Sequence, residues 1–191
     1  MDERQRAFLD RKFRHLFNFY DYDKNGFIEW CDFEKRISDA TNHLKQRLAG
    51  QEFFVTTFRS LQTRAVRNFF EAVLQHADKD SDCKISAQEW IDFSYDLREK
   101  ILATGELPAW LKDVVSGLFA CCDVNKDGCL GNDGLEFLPG ISEKIQQHCF
   151  KILTNNGEIP LDEERYFQLT KDYCCSVDPQ DESRYLYGFC D

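Results

Sequence analysis

The chain has 191 residues, of which 42% are hydrophobic and 30% charged, with a formal net charge of −10. That length suits one large domain or two small ones, and the acidic balance argues against nucleic acid or an anionic membrane surface as a partner. No run of about eighteen apolar residues occurs, so no membrane insertion is expected, and the nine cysteines with no apolar leader before them read as reduced thiols in a cytoplasmic protein.

From the start of the chain, Phe13, Leu16, Phe17 and Tyr20 recur at helical spacing, which predicts a helix over residues 5–20. Asp21-Tyr-Asp-Lys-Asn-Gly-Phe-Ile-Glu-Trp-Cys-Asp32 follows, and a second helix is expected over 30–42. Oxygen-bearing side chains stand at alternate places, Asp21, Asp23 and Asn25, then Glu29 and Asp32, with Gly26 at a sharp turn and Ile28 as the one aliphatic residue of the second half. A hard divalent cation takes six to eight oxygens, and a twelve-residue loop of this spacing can wrap them around one ion. Helix, loop and helix together form an EF-hand pattern. Its ligands would be Asp21, Asp23, Asn25, the carbonyl of Phe27, and Asp32, with Glu29 acting directly or through water. Asp32 closes the loop where the calcium pattern has Glu. One methylene less makes bidentate reach harder and tilts the site towards mixed Ca²⁺/Mg²⁺ behaviour.

Leu44 to Leu61 carries Leu48, Phe53, Phe54, Val55 and Phe58, too apolar a set for a simple linker, so it is expected to be partly helical and packed against the hands. A helix from Ala65 to Ala77, with Phe69, Phe70, Val73 and Leu74 inward, enters a second loop, Asp78 to Glu89. Here Asp78, Asp80, Asp82, the carbonyl of Lys84 and Glu89 would be the ligands, with Ile85 in the place of Ile28 and Ser86 bridging through water. Cys83 stands where glycine is expected, and positive φ at a non-glycine residue costs ~1–2 kcal/mol. The exit helix is expected over Gln88 to Thr104.

Gly105-Glu-Leu-Pro-Ala-Trp110 breaks that helix and starts another. The chain is therefore divided into a first pair of hands (1–104), a second pair (105–175) and a tail (176–191). A third loop opens with Asp123, Asn125, Asp127, Gly128 and the carbonyl of Cys129, and Leu130 is its aliphatic residue. Gly131 and Gly134 then fall in the ninth and twelfth places, so no closing carboxylate is in register, and metal at this loop is left open. A helix is expected over Ile141 to Leu153 with Ile145, Cys149 and Ile152 on one face. A fourth, metal-free loop has Ile159 as its aliphatic residue and Ile152 in its first place, followed by a helix from Asp162 to Cys174. The tail ends in Tyr185-Leu-Tyr-Gly-Phe189, too aromatic for a disordered segment, and is expected to dock in an apolar cleft of the same molecule.

Several features together make the chain resemble the calexcitin and invertebrate sarcoplasmic calcium-binding protein group, with calexcitin nearest. They are the first loop with Ile28-Glu29-Trp30 and its Asp closure, the long insert before the second hand, Gly105-Glu-Leu-Pro-Ala-Trp-Leu111, a fourth hand without metal, and the aromatic tail. The resemblance implies a compact all-α fold of two EF-hand pairs with short β pairing between loops, a tail tucked between them, and calcium signalling in nerve or muscle; a calcium-signalling protein or a Ca²⁺/Mg²⁺ buffer is the function expected. It also implies a usable third loop, from which Gly131 and Gly134 depart.

Met1 is the only methionine. An adaptable methionine-lined groove is therefore not expected, and metal-linked change should be modest or centred on the tail. A monomer is expected, with a protein target in calcium signalling as a possible partner. The alternative is an EF-hand protein enclosing a small apolar ligand in its aromatic interior, although His15, His43, His76 and His148 fall on different elements. No enzyme chemistry is expected, since no nucleophile–base pair, phosphate loop or zinc signature is present.

Overall fold

The computed structural model describes residues 1–47, 52–123, 125–131 and 142–189. Helix α1 (Glu3–Tyr20) starts at a capping box in which Asp2 and Gln5 exchange side-chain and backbone hydrogen bonds of 2.9 Å. It buries Phe8, Leu9, Phe13, Phe17 and Tyr20. The short strand β1 (Phe27–Ile28) leads into α2 (Trp30–Arg47), which runs five residues past the expected end at residue 42.

Helix α3 (Glu52–Ala77) has 26 residues and absorbs most of the segment read as an insert, so the entering helix of the second hand begins thirteen residues before Ala65. The physical reason is an uninterrupted run without Gly or Pro, which lets a helix nucleated at the loop propagate backwards. Only part of the apolar set in that segment packs. Val55 and Phe58 are buried and meet Leu44, whereas Phe53 is 87% and Phe54 38% exposed. The expectation that this apolar set packs against the hands is thereby corrected for Phe53 and Phe54: residues 55 and 58 lie three apart on one helical face, and 53 and 54 point elsewhere. Leu48 lies outside the described residues.

Strand β2 (Ile85–Ser86) pairs antiparallel with β1, Phe27 opposite Ser86 and Ile28 opposite Ile85. Both isoleucines are essentially inaccessible, at 1% and 0%. The pairing therefore presses two β-branched side chains into the core and sets the two loops back to back. Helix α4 (Ala87–Thr104) follows and stops at Gly105, whose φ of 75° is the left-handed cap that glycine adopts without strain. After Pro108, α5 (Ala109–Cys122) enters the third loop. Residues 132–141 lie outside the described residues, and with them Asp133, Gly134, Glu136, Pro139, Gly140 and Ile141. Helix α6 (Glu143–Leu153) turns Cys149 and Leu153 inward but leaves Ile145 39% exposed, contrary to the expected apolar face. Helix α7 (Glu163–Cys175) completes the fourth hand.

The largest core cluster joins α1, α3 and α4 to Leu107, Leu111 and Val115, so apolar packing runs on across residue 105. A second cluster gathers Phe119, Leu130, Leu153, Leu161, Leu169 and Tyr173 around Leu186 of the tail. The tail docks as expected, through a six-residue 3-10 turn (Glu182–Tyr187) that ends at Gly188. Phe189 meets Phe8 at 6.0 Å and His15 at 5.2 Å, and the Tyr187 carbonyl is 2.9 Å from His15 Nε2. Beneath it, Lys12 is 1% exposed, donates to the Ser176 carbonyl at 2.8 Å and lies over the Tyr173 ring. Desolvation lowers its pKa to about 8. No helix among the described residues is long and apolar enough to cross a membrane.

Candidate metal centres

Each loop is a chain of turns in which an acidic or amide side chain accepts backbone N–H groups further along. In the first, Asp21 caps the end of α1 and accepts Asn25 N–H and Gly26 N–H, both at 3.1 Å. Asp23 Oδ1 accepts Asn25 N–H at 3.1 Å, and Asn25 Oδ1 accepts Phe27 N–H at 2.9 Å. Asp32 closes the ring from the first turn of α2. Its Oδ1 takes Tyr22 N–H at 2.9 Å and Asp23 N–H at 3.1 Å, and its Oδ2 takes Glu29 N–H at 2.8 Å. Asp21 and Asp32 are buried. Burial pushes the Asp32 carboxyl above the usual carboxylate range, and the backbone N–H groups only partly draw it back. A buried, inward-turned carboxylate of this kind is stabilised when a cation sits beside it.

Glu29 does not turn to the loop centre. Its Oε1 lies 3.0 Å from Lys84 Nζ of the second loop, and its Oε2 accepts Asn25 Nδ2 at 2.9 Å. The Lys84 hydrogen bond holds its carboxyl below the usual range.

The second loop repeats the scheme. Asp78 accepts Ser81 N–H at 2.7 Å and Cys83 N–H at 3.0 Å, Asp80 accepts Asp82 N–H at 3.2 Å, and Asp82 accepts Lys84 N–H at 2.9 Å. Cys83 sits at φ 65°, the left-handed conformation expected of its place, and its side chain is exposed. Glu89 does two jobs at once. It forms the capping box of α4 with Ser86, whose N–H and hydroxyl reach Oε2 at 2.9 and 2.7 Å, while Oε1 accepts Lys79 N–H at 2.9 Å. Burial works against its charge, but these hydrogen bonds bring its pKa below the usual value. Ser86, read as a water bridge, is thus also the N-cap of the exit helix.

Potential ligand oxygens of Asp21, Asp23 and Asp32 lie within 4.8 Å of one another, and so do those of Asp78, Asp80 and Asp82. The donors are all oxygens, which suits Ca²⁺ or Mg²⁺ and not a soft metal. Phe27 and Lys84, expected to offer their carbonyls, occupy matching seventh places on either side of the β pairing.

In the third loop Asp123 Oδ2 accepts Gly128 N–H at 3.1 Å and Asp127 Oδ1 accepts Cys129 N–H at 2.9 Å. Asn125 Oδ1 accepts Asp127 N–H at 3.2 Å. Asp123 is 7% exposed, and its Oδ1 is buried without a hydrogen-bond partner among the described residues. An unpaired buried carboxylate oxygen is costly and fits a cation.

The fourth loop is displaced from the expected register. Leu130 N–H donates to the Leu161 carbonyl at 2.8 Å, and Cys129 bridges to Asp162. Leu161, 1% exposed, therefore takes the aliphatic place assigned to Ile159, which is 39% exposed. Counting from Leu161 puts Thr154, not Ile152, in the first place and Arg165 in the closing one. The Arg165 guanidinium reaches across the loop to the Leu153 carbonyl, with Nε at 3.1 Å and Nη2 at 2.8 Å, and pairs with Glu182 of the tail at 3.0 Å. A tethered cation thus joins the two helices of this hand.

Among the described residues, apolar cavities of about 60 and 90 Å³ lie in the aromatic interior, with Tyr20, Phe69, Leu118 and Tyr187 in the walls of both. Either is well short of the ~300 Å³ at which pockets for drug-sized ligands begin. His15, His76 and His148 do not converge: His76 stacks on Trp110 at 4.3 Å, and His148 lies beside Tyr185 at 5.9 Å.

Comparison with known proteins agrees with this geometry. Residues 13–38 match a family model described as EF hand. The chain is 27% identical over 173 residues to the sarcoplasmic calcium-binding proteins I, III, and IV of Branchiostoma lanceolatum, a match covering 85% of this chain and 86% of that one. It is 28% identical over 166 residues to calerythrin of Saccharopolyspora erythraea, covering 82% and 88%. Among solved structures, the amphioxus sarcoplasmic calcium-binding protein superposes with a TM-score of 0.62 at 21% identity, covering 98% of each chain. The calcium-loaded apo form of coelenterazine-binding protein from Renilla muelleri superposes with a TM-score of 0.66 at 19% identity, also over 98% of each. Helix–loop–helix units paired through their loops, an all-α core and relatives matched over most of their length together make this chain similar to the sarcoplasmic calcium-binding proteins, with an EF hand matched at residues 13–38.

Proposed function

We propose that the protein binds Ca²⁺ at the loops beginning at Asp21 and Asp78, as a calcium-signalling or buffering protein of the cytoplasm. The observation that carries this reading is the convergence of two carboxylate triads, Asp21/Asp23/Asp32 and Asp78/Asp80/Asp82, in loops locked back to back. Asn25, Glu89 and the carbonyls of Phe27 and Lys84 complete the two oxygen sets. Relatives named for calcium binding support it. Mg²⁺ competes at the first loop, because the short Asp32 side chain favours six-coordinate closure. The third loop, with Asp123, Asn125, Asp127 and the carbonyl of Cys129, takes a weaker cation, its support being the Asp123 oxygen that has no hydrogen-bond partner among the described residues. The protein acts without catalysis, as a monomer, and its stiff aromatic core limits the metal-linked change.

Calorimetry with CaCl₂, alone and with MgCl₂ present, tests the reading. Two tight sites are expected, with Asp21→Ala and Asp78→Ala each removing one and Mg²⁺ weakening only the first. Tight stoichiometry unchanged in both variants would refute it.

A further inference from the structure

Lys84 lies in the second loop, yet its side chain serves the first. Its ammonium crosses the β pairing to Glu29 Oε1 at 3.0 Å and lies 5.3 Å from the centre of the Phe27 ring. The second oxygen of Glu29 accepts Asn25 Nδ2 at 2.9 Å. Asn25 is a proposed ligand whose amide has two nearly isosteric ends, and only the oxygen end can bind a cation. With Nδ2 committed to Glu29, Oδ1 is the end left facing the loop, where it also accepts Phe27 N–H.

From this relay, and resting on the calcium-binding reading, we propose that Lys84 is a positioning residue for the first ion: through Glu29 it fixes the oxygen-inward orientation of Asn25 and couples the second loop to the first. Glu29 is then a brace for a ligand and not itself a ligand. The two loops are tied by the same residue twice, since the Lys84 carbonyl belongs to the second oxygen set and its ammonium to the support of the first. A positive charge beside a cation site would by itself weaken binding. The relay makes the opposite prediction, so the two effects differ in sign.

The first loop can be followed alone through the Gly26 amide, which donates to Asp21 at 3.1 Å and shifts when a cation draws that carboxylate inward. The second loop has Cys83 at that place, so protein labelled with ¹⁵N-glycine and titrated with CaCl₂ reports the first loop at Gly26. Lys84→Gln is expected to raise the half-saturating Ca²⁺ at Gly26 about three- to tenfold, the worth of one oriented hydrogen bond. Lys84→Arg, which keeps charge and ion pair, should stay within about twofold of the parent. Glu29→Gln should resemble Lys84→Gln, and the double variant should be no worse than the larger single one, as for groups acting in series. A half-saturation point that Lys84→Gln lowers or leaves unchanged would overturn the proposal. So would additive losses in the double variant, which would make Glu29 a ligand in its own right. A parent Gly26 signal indifferent to millimolar CaCl₂, by contrast, would overturn the calcium reading itself, and the relay with it.

Discussion

Replacing Arg165 by Gln removes a cation that the fold itself supplies. The guanidinium makes two hydrogen bonds to the Leu153 carbonyl, at 3.1 and 2.8 Å, and its side chain is only 22% exposed. Leu153 ends α6 and is fully buried, so without Arg165 its carbonyl is left desolvated. Hydrogen bonds from a charged donor are worth about 1.5–3 kcal/mol, and the helix terminus adds about 0.3–1. The pair with Glu182, which is 45% exposed, contributes less than about 1 kcal/mol. The total is roughly 2–4 kcal/mol, which for a chain of this size lowers Tm by roughly 4–15 °C. Thermal unfolding followed by circular dichroism should show this fall equally in chelator and in CaCl₂, because Arg165 itself supplies the positive charge in the fourth loop. Glu182→Gln should lose only the small share, and 1 M NaCl should erase it. Arg165→Lys, with its compact single head, should fall in between. A Tm within about 1 °C of the parent in Arg165→Gln, or a fall seen only in chelator, would refute the reasoning.

Two further outcomes are expected. Cys83→Gly releases a non-glycine residue held at φ 65°; after the extra freedom glycine gives the unfolded chain, it should gain about 1 kcal/mol or less. Calorimetry at the second loop should show tighter Ca²⁺ binding, never weaker. Lys12 keeps its proton to about pH 10.5 when unfolded but only to about 8 when buried beneath the tail. Between those values the unfolded chain binds more protons, so this site adds stability as pH rises through the window, fully present above 10.5 and absent below 8. The span is at most about 3 kcal/mol. Urea unfolding of Lys12→Met and parent at pH 7 and 10.5 should show the variant's relative advantage shrinking with pH, and a flat difference would count against it.

The helices, the paired loops and the docked tail were legible because each rests on a local pattern with a physical cause. Oxygen ligands alternate because a loop must fold them around one point, and Ile28 and Ile85 stand at matching places because β pairing presses them into one core. Less legible was which apolar residues of a long helix face inward. Phe53, Phe54, Val55 and Phe58 form one hydrophobic run, and only the partner surface, here Leu44, selects positions 55 and 58. Periodicity locates a stripe, and four crowded apolar residues allow more than one.

The fourth loop shows how a wrong register can survive a correct pattern. Ile159 and Leu161 are two residues apart, and in an extended segment such residues share a face, so either satisfies the requirement for an aliphatic side chain opposite Leu130. The deciding signal lay one residue further on. Ser86 is both the ninth residue of its loop and the N-cap of α4; Asp162, the N-cap of α7, is its counterpart. Counting back one place from the cap yields Leu161, and counting on three yields Arg165. Capping chemistry, which depends on where a helix starts, thus discriminates where hydrophobic period does not. The same logic applies to the Lys84 side chain: loop spacing counts ligands within one hand, whereas a brace between hands exists only once the two loops are set side by side.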